Sequence, residues 1–171
     1  MTISESSVTD TLFGPLTVRL NTWRGEVVVE GEAIPRVVLS RATGTKADGD
    51  IPIGTRDAGL LILTVGGEAA ALSPGRGRLI RRSYRVDVRH AGRHWRLVPH
   101  SMPDSRLLRD GRRLGDFHSK GDGEVKAAEW RSDAKPDAMD AAVGYALAAA
   151  FGTGAESMWS AAADLVFDAI P

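Results

Sequence analysis

The sequence has no cysteine among its 171 residues. This absence excludes a disulfide framework, a thiol nucleophile and a zinc–thiolate site. A protein without disulfides is most simply placed in the cytoplasm. Residues 1–7 contain neither a basic n-region nor an apolar h-region. We therefore expect neither a signal peptide nor a membrane anchor, and we expect a cytoplasmic protein.

The sequence also has no formal net charge, because its 22 basic residues balance 22 acidic ones. This balance argues against a protein whose whole surface binds nucleic acid. The longest uncharged stretch, residues 141–155, is shorter than the roughly 20 apolar residues that cross a membrane as a helix. We expect no transmembrane segment. From the length we predict a single domain over residues 11–171, after a flexible tail over residues 1–10.

The uncharged stretch predicts a buried helix over residues 136–151. Pro136 suits the first helical position, and Asp137 and Asp140 place negative charge in the first turn. A surface helix is apolar along one stripe only, whereas every face of this one is apolar and most of its side chains are small. We therefore expect the helix to be surrounded on most sides.

A second helix is predicted over residues 154–170. Thr153 and Glu156 have the spacing of a capping box. One helical face is apolar, which indicates packing on the protein's own sheet or on a partner protein. Trp159 is the candidate partner-binding residue on that face. The apolar face is formed by Met158, Trp159, Ala162, Val166, Ala169 and Ile170.

Residues 14–131 read as about ten short strands separated by turn residues. Asp110-Gly111 between two apolar runs is a strong hairpin signal. Strands at this spacing predict an antiparallel sandwich or barrel, and helices that follow all the strands exclude a doubly wound parallel sheet. We predict a mainly β (β+α) fold, in which an antiparallel meander forms a barrel or strongly bent sheet around the C-terminal helix.

The order of hairpins followed by an Asp-x-x-Asp-Ala-Ala helix start resembles a known superfamily. Asp137, Asp140, Ala141, Ala142 and the apolar run after them are similar to the tubby C-terminal-like barrels, which include phospholipid scramblase and LURP-one-related proteins. The resemblance implies a hydrophobic helix threaded through a β-barrel of about a dozen strands. None of that superfamily's lipid-contacting residues is transferred to this chain.

The clearest charge feature is the block 76–113, with twelve arginines against three aspartates. Guanidinium groups bind phosphates bidentately, so a face for an anionic ligand such as a lipid headgroup is one interpretation. The other is a solvated surface of several strands, whose charges discourage edge-to-edge pairing. Nucleic acid is not an expected ligand, because few aromatics interleave the block. The candidate anion-binding residues are Arg81, Arg85, Arg89, Arg96, Arg109 and Arg112.

No motif predicts catalysis, a metal or a cofactor. His90 and His94 straddle a predicted turn, so they lack the helical geometry of a zinc site. Our leading hypothesis is a non-enzymatic binding or scaffold module. A protein–protein interaction module that uses the last helix is the alternative, and an enzyme with an unrecognised site in the barrel mouth is the second alternative.

Overall fold

The computed structural model describes residues 2–77, 80–101 and 103–153. Within these ranges the chain forms one eleven-stranded antiparallel meander, in which every strand pairs with its neighbours in the chain, and one α-helix. This confirms the predicted fold class. The elements are β1 (Ile3–Asp10), β2 (Gly14–Asn21), β3 (Glu26–Gly31), β4 (Ile34–Arg41), β5 (Leu61–Val65), β6 (Glu68–Pro74), β7 (Val86–His90), β8 (Arg93–Pro99), β9 (Asp104–Arg109), β10 (Arg112–His118), β11 (Glu129–Trp130) and α1 (Ala138–Phe151), with 3-10 turns at Ala58–Leu60 and Arg81–Tyr84.

The strongly bent sheet surrounds α1. The helix contacts β2, β3 and β4 on one side and β8, β9 and β10 on the other. Every residue from Asp140 to Phe151 is buried, which confirms that this helix has no solvated side. Alternate residues of the strands face it and supply the core, as Val27 and Val29 do on β3. The small side chains of the helix make this close packing possible, because they let the strands come near the helix axis.

Gly144 marks the closest approach between the helix and its wall. A Cβ at this position would lie 2.8 Å from Phe117 Cε2 and 2.9 Å from Leu107 Cδ2. The Phe117 ring is itself fixed edge-on between Trp130, at 5.5 Å, and Tyr145, at 4.9 Å between ring centroids. The wall therefore leaves no room for even a methyl group at residue 144.

Replacing Gly144 by alanine is expected to destabilise the fold. Overpacking costs about 1–3 kcal/mol, against a gain of about 1 kcal/mol in helix propensity, so we expect a lower free energy of unfolding in urea. Phe117→Leu creates space at the same point, and the double variant should lose less than the two single variants together. A Gly144→Ala protein more stable than the wild type would contradict the close packing.

The structure corrects the prediction of a flexible N-terminal tail. Residues from Ile3 to Asp10 pair with β2 along their whole length. The inward-facing positions are Ser4, Ser6, Val8 and Asp10, and only one of these is apolar. The alternation that identifies a half-buried strand is therefore hidden in this sequence.

Other boundaries also differ from the sequence prediction. The helix begins at Ala138 with Asp137 as its N-cap, so Pro136 precedes it. The last strand, predicted over residues 125–130, is only two residues long. The run 79–90, predicted as one strand, contains a 3-10 turn in which the Ser83 hydroxyl donates to the Ile80 carbonyl at 2.7 Å. The predicted second helix and Trp159 lie outside the described residues.

Side chains connect the first strand to the last part of the sheet. No ladder joins β1 to β11 within the described residues. Instead, the buried Asp10 carboxylate accepts hydrogen bonds from Trp130 Nε1 at 3.0 Å and from the Tyr145 hydroxyl at 2.5 Å. Ser6 Oγ accepts a third from the Val125 N–H at 3.2 Å. The seam between the two ends of the sheet is therefore held by side-chain acceptors on β1.

Candidate anion-binding groove

The six predicted arginines do not form one continuous face. Arg85 and Arg96 bind Asp87, and Arg109 binds Asp140. Arg89 and Arg112 are exposed and make no ion pair with a described residue. The side chain of the sixth, Arg81, lies outside the described part of the chain.

Asp87 neutralises one part of the arginine block. It lies on β7 directly opposite Arg96 on β8 and accepts from Arg96 Nε at 2.8 Å and His94 Nε2 at 2.6 Å. Arg85 Nε is 3.4 Å away. Burial alone would raise the pKa of Asp87, but the hydrogen bonds from Arg96 and His94 hold that pKa below its usual value. On these strands the interpretation as a paired, solvated surface fits better than an open anion site.

Two acids at the N-terminus of α1 neutralise a second part of the arginine block. Asp137 and Asp140 form a capping box, and their carboxylates bind the guanidinium groups of Arg93 and Arg109. Trp95 Nε1 donates to Asp140 at 2.8 Å. Burial raises the pKa of Asp140. Burial also acts to raise the pKa of Asp137, but the hydrogen bonds from the Asp140 N–H and from Arg93 have the larger effect. They hold the pKa of Asp137 below its usual value.

A basic groove of about 680 Å³ lies beside this cluster. It separates the β9–β10 hairpin from the segment 131–135, which leads into α1. The Arg131 N–H bonds the Leu114 carbonyl at 2.9 Å and so holds that segment against β10. Among the described residues that line this groove, five are basic, one is acidic and none is aromatic; the lining residues are Arg109, Arg112, Arg113, Leu114, Arg131, Asp133, Ala134 and Lys135. We call this the basic groove.

Ion pairing leaves two cations of the basic groove available. Arg113 binds Asp116 at 2.7 Å and Arg131 binds Asp133 at 2.8 Å. Arg112 and Lys135 are exposed and make no ion pair with a described residue. Arg131 and Asp133 are also exposed, so their pair competes with water and with any incoming anion.

Sequence reasoning found only part of the basic groove. Arg109 and Arg112 were predicted, and the Asp110-Gly111 turn between them has φ of 50° and 82°, the left-handed geometry of a tight hairpin. Arg131 and Lys135 were missed because they follow the arginine block by about twenty residues. The short β10–β11 ladder and the hydrogen bond from the Arg131 N–H to the Leu114 carbonyl bring them beside β10.

The opposite rim of the sheet holds a smaller cavity, of about 360 Å³, with charges of both signs. Its Arg56 guanidinium lies 5.2 Å from the Tyr84 ring centroid and 5.4 Å from that of Phe151. It donates to the carbonyls of Gly75, at 3.2 Å, and Tyr84. Burial lowers the pKa of Arg56 to about 10. These contacts make Arg56 part of the wall at the C-terminal end of α1.

None of the helices in the described residues combines the length and the apolar character needed to cross a membrane. Comparison of the chain with protein-family models, with curated proteins and with solved structures finds no match.

Proposed function

We propose that the protein is a non-enzymatic, cytoplasmic binding module that holds an anionic ligand, such as a phosphate-bearing lipid headgroup, in the basic groove. The observation that carries the proposal is the excess of cations there, with Arg112 and Lys135 exposed and without an ion pair to a described residue. Elsewhere in the arginine block, aspartates are already bound to the guanidinium groups of Arg85, Arg93 and Arg96.

The chemistry of the lining favours phosphate or carboxylate oxygens over a nucleobase. A guanidinium fork binds two oxygens of one phosphate, and an ammonium group acts as a point charge beside it. None of the described residues that line the groove is an aromatic on which a base could stack. The likeness of the C-terminal helix to the tubby C-terminal-like barrels belongs to the same proposal and stays a prediction.

Vesicle flotation tests this function. Vesicles of phosphatidylcholine alone and of phosphatidylcholine with phosphatidylglycerol present the same surface without and with negative charge. We expect binding to the anionic vesicles only, weakened by added salt. The double variant Arg112→Glu with Lys135→Glu should bind at least tenfold more weakly, a change of about 1.4 kcal/mol. Titration with inositol hexakisphosphate separates a free phosphate ligand from a lipid surface.

The matched control makes the same change in net charge outside the basic groove. Lys120 and Lys126 are exposed residues beyond the other end of β10, and Lys120→Glu with Lys126→Glu should leave binding unchanged. If the wild type shows no salt-sensitive binding to either probe, or if both double variants lose it equally, the basic groove is not the site.

A further inference from the structure

The smaller cavity, beside the C-terminal end of α1, contains a half-buried cation, Arg56. We call it the Arg56 cavity. The Arg56 guanidinium donates to the Gly75 and Tyr84 carbonyls at 3.2 Å and 3.4 Å. Its central carbon also lies close to the Tyr84 and Phe151 ring centroids, at 5.2 Å and 5.4 Å. These four contacts fix the orientation of the planar group at the wall of the cavity.

Arg56 has no carboxylate partner among the described residues. Burial is the largest influence on its pKa, and no described carboxylate offsets the fall of that pKa to about 10. The two carbonyls engage only part of its set of N–H donors. Burial of a charge is costly unless the charge is paired, so an anion in the Arg56 cavity would supply the partner that the described chain lacks.

The exposed residues at the mouth of the Arg56 cavity balance one another in charge. Lys46 and Arg76 are basic, Asp48 and Asp50 are acidic, and all four are exposed. Asp48 is already engaged as an acceptor, because the Asp50 N–H donates to its carboxylate at 2.9 Å. Since the mouth has no net charge, the positive charge of Arg56 is the uncompensated charge of the described lining.

We propose that the Arg56 cavity is a second ligand site, in which Arg56 binds the carboxylate or phosphate group of a small polar molecule. Its volume of about 360 Å³ suits a small molecule. The guanidinium fork binds two oxygens of one anion, and its fixed orientation lowers the entropy that binding costs. The two acids at the mouth disfavour a polyanion, in contrast to the basic groove.

Nuclear magnetic resonance of the isotope-labelled full chain tests the site, because it reports each N–H group separately. Sodium acetate probes carboxylate binding and sodium phosphate probes phosphate binding, both at an ionic strength held constant with sodium chloride. We expect the signals of the Arg56 Nε–H and of the Gly77 N–H, whose backbone lies against Arg56, to shift and to saturate with at least one probe. Sodium chloride alone should give no saturating shift.

Three variants identify the groups that bind the probe, after circular dichroism has confirmed the fold of each. Arg56→Lys keeps the charge but removes the fork, and should weaken binding at least tenfold. Arg76→Glu reverses an exposed charge at the mouth and should weaken binding at least threefold. Arg89→Glu makes the same charge change at an exposed position on β7 outside the lining, and should bind as the wild type does.

Two results would overturn the proposal. One is the lack of saturation of the Arg56 signal with either probe, and the other is equal weakening by Arg76→Glu and Arg89→Glu. If Arg56→Lys does not fold, the comparison of these two exposed positions still provides the test. The basic groove shares no described lining residue with the Arg56 cavity, so its signals in the same spectra show separately whether it binds the probe.

Discussion

Asp140→Ala should lower the free energy of unfolding by about 3–5 kcal/mol, since it removes one partner of a buried ion pair. Asp140 is 0% exposed. It accepts from Trp95 Nε1 and from the Asp137 N–H, each at 2.8 Å, and from the Arg109 guanidinium. Alanine leaves the buried Trp95 N–H without an acceptor, removes the nearest partner of Arg109 and removes half of the capping box.

Urea unfolding followed by circular dichroism measures this effect. Asp140→Asn has nearly the same shape and keeps one acceptor oxygen, so it should lose part of the stability but less than alanine. Asp133→Ala removes a fully exposed carboxylate with an arginine partner and should leave the midpoint unchanged. Equal midpoints for Asp140→Ala and Asp133→Ala would show that the Asp140 cluster does not hold the helix in place.

The second large effect is expected at Asp10, where alanine should cost about 2–4 kcal/mol because each buried donor left unpaired costs about 1–3 kcal/mol. Asp10 is 2% exposed, and its carboxylate accepts from the Trp130 indole and the Tyr145 hydroxyl. It also accepts from the Leu12 and Phe13 N–H groups. Burial raises the pKa of Tyr145 far above its usual value, so its hydroxyl remains a donor.

Hydrogen exchange reports the local consequence of the Asp10 change. The amides of β1 should exchange faster in Asp10→Ala, because the strand loses its connection to α1 and β11. Tyr145→Phe removes one donor and leaves the Ala128 N–H, now bonded at 2.9 Å, without an acceptor, so it should give a smaller loss. Glu5→Ala alters an exposed acid in the same strand. If Glu5→Ala accelerated the exchange of the β1 amides as much as Asp10→Ala does, the contacts of Asp10 at the seam would not be the cause of the faster exchange.

The wall and the helix could be predicted because their signals are local. A stretch with no charge on any helical face requires burial, and the Asp110-Gly111 pair adopts the two positive φ angles that such a hairpin turn needs. The first strand was missed because Ser4, Ser6 and Asp10 occupy inward positions. Ser6 and Asp10 form hydrogen bonds across the seam rather than fill the core, so hydropathy does not reveal this strand.

The candidate site was harder to predict because ion pairing depends on distant residues. Arg109 meets Asp140 across 31 positions, and Arg93 meets Asp137 across 44. Counting charge within the arginine block alone therefore overstated how many guanidinium groups are available. The basic groove requires segment 131–135 to return to the β9–β10 hairpin, and only tertiary structure makes that juxtaposition.

The position of α1 after all the strands also has a consequence for biosynthesis. Each hairpin can form between neighbours as the ribosome releases it, since such contacts are local. The inner faces of β2 to β4, however, have no helix to pack on until more than a hundred further residues have been made. A nascent chain therefore exposes its apolar wall until α1 has been made, which is the interval in which chaperones protect incomplete domains.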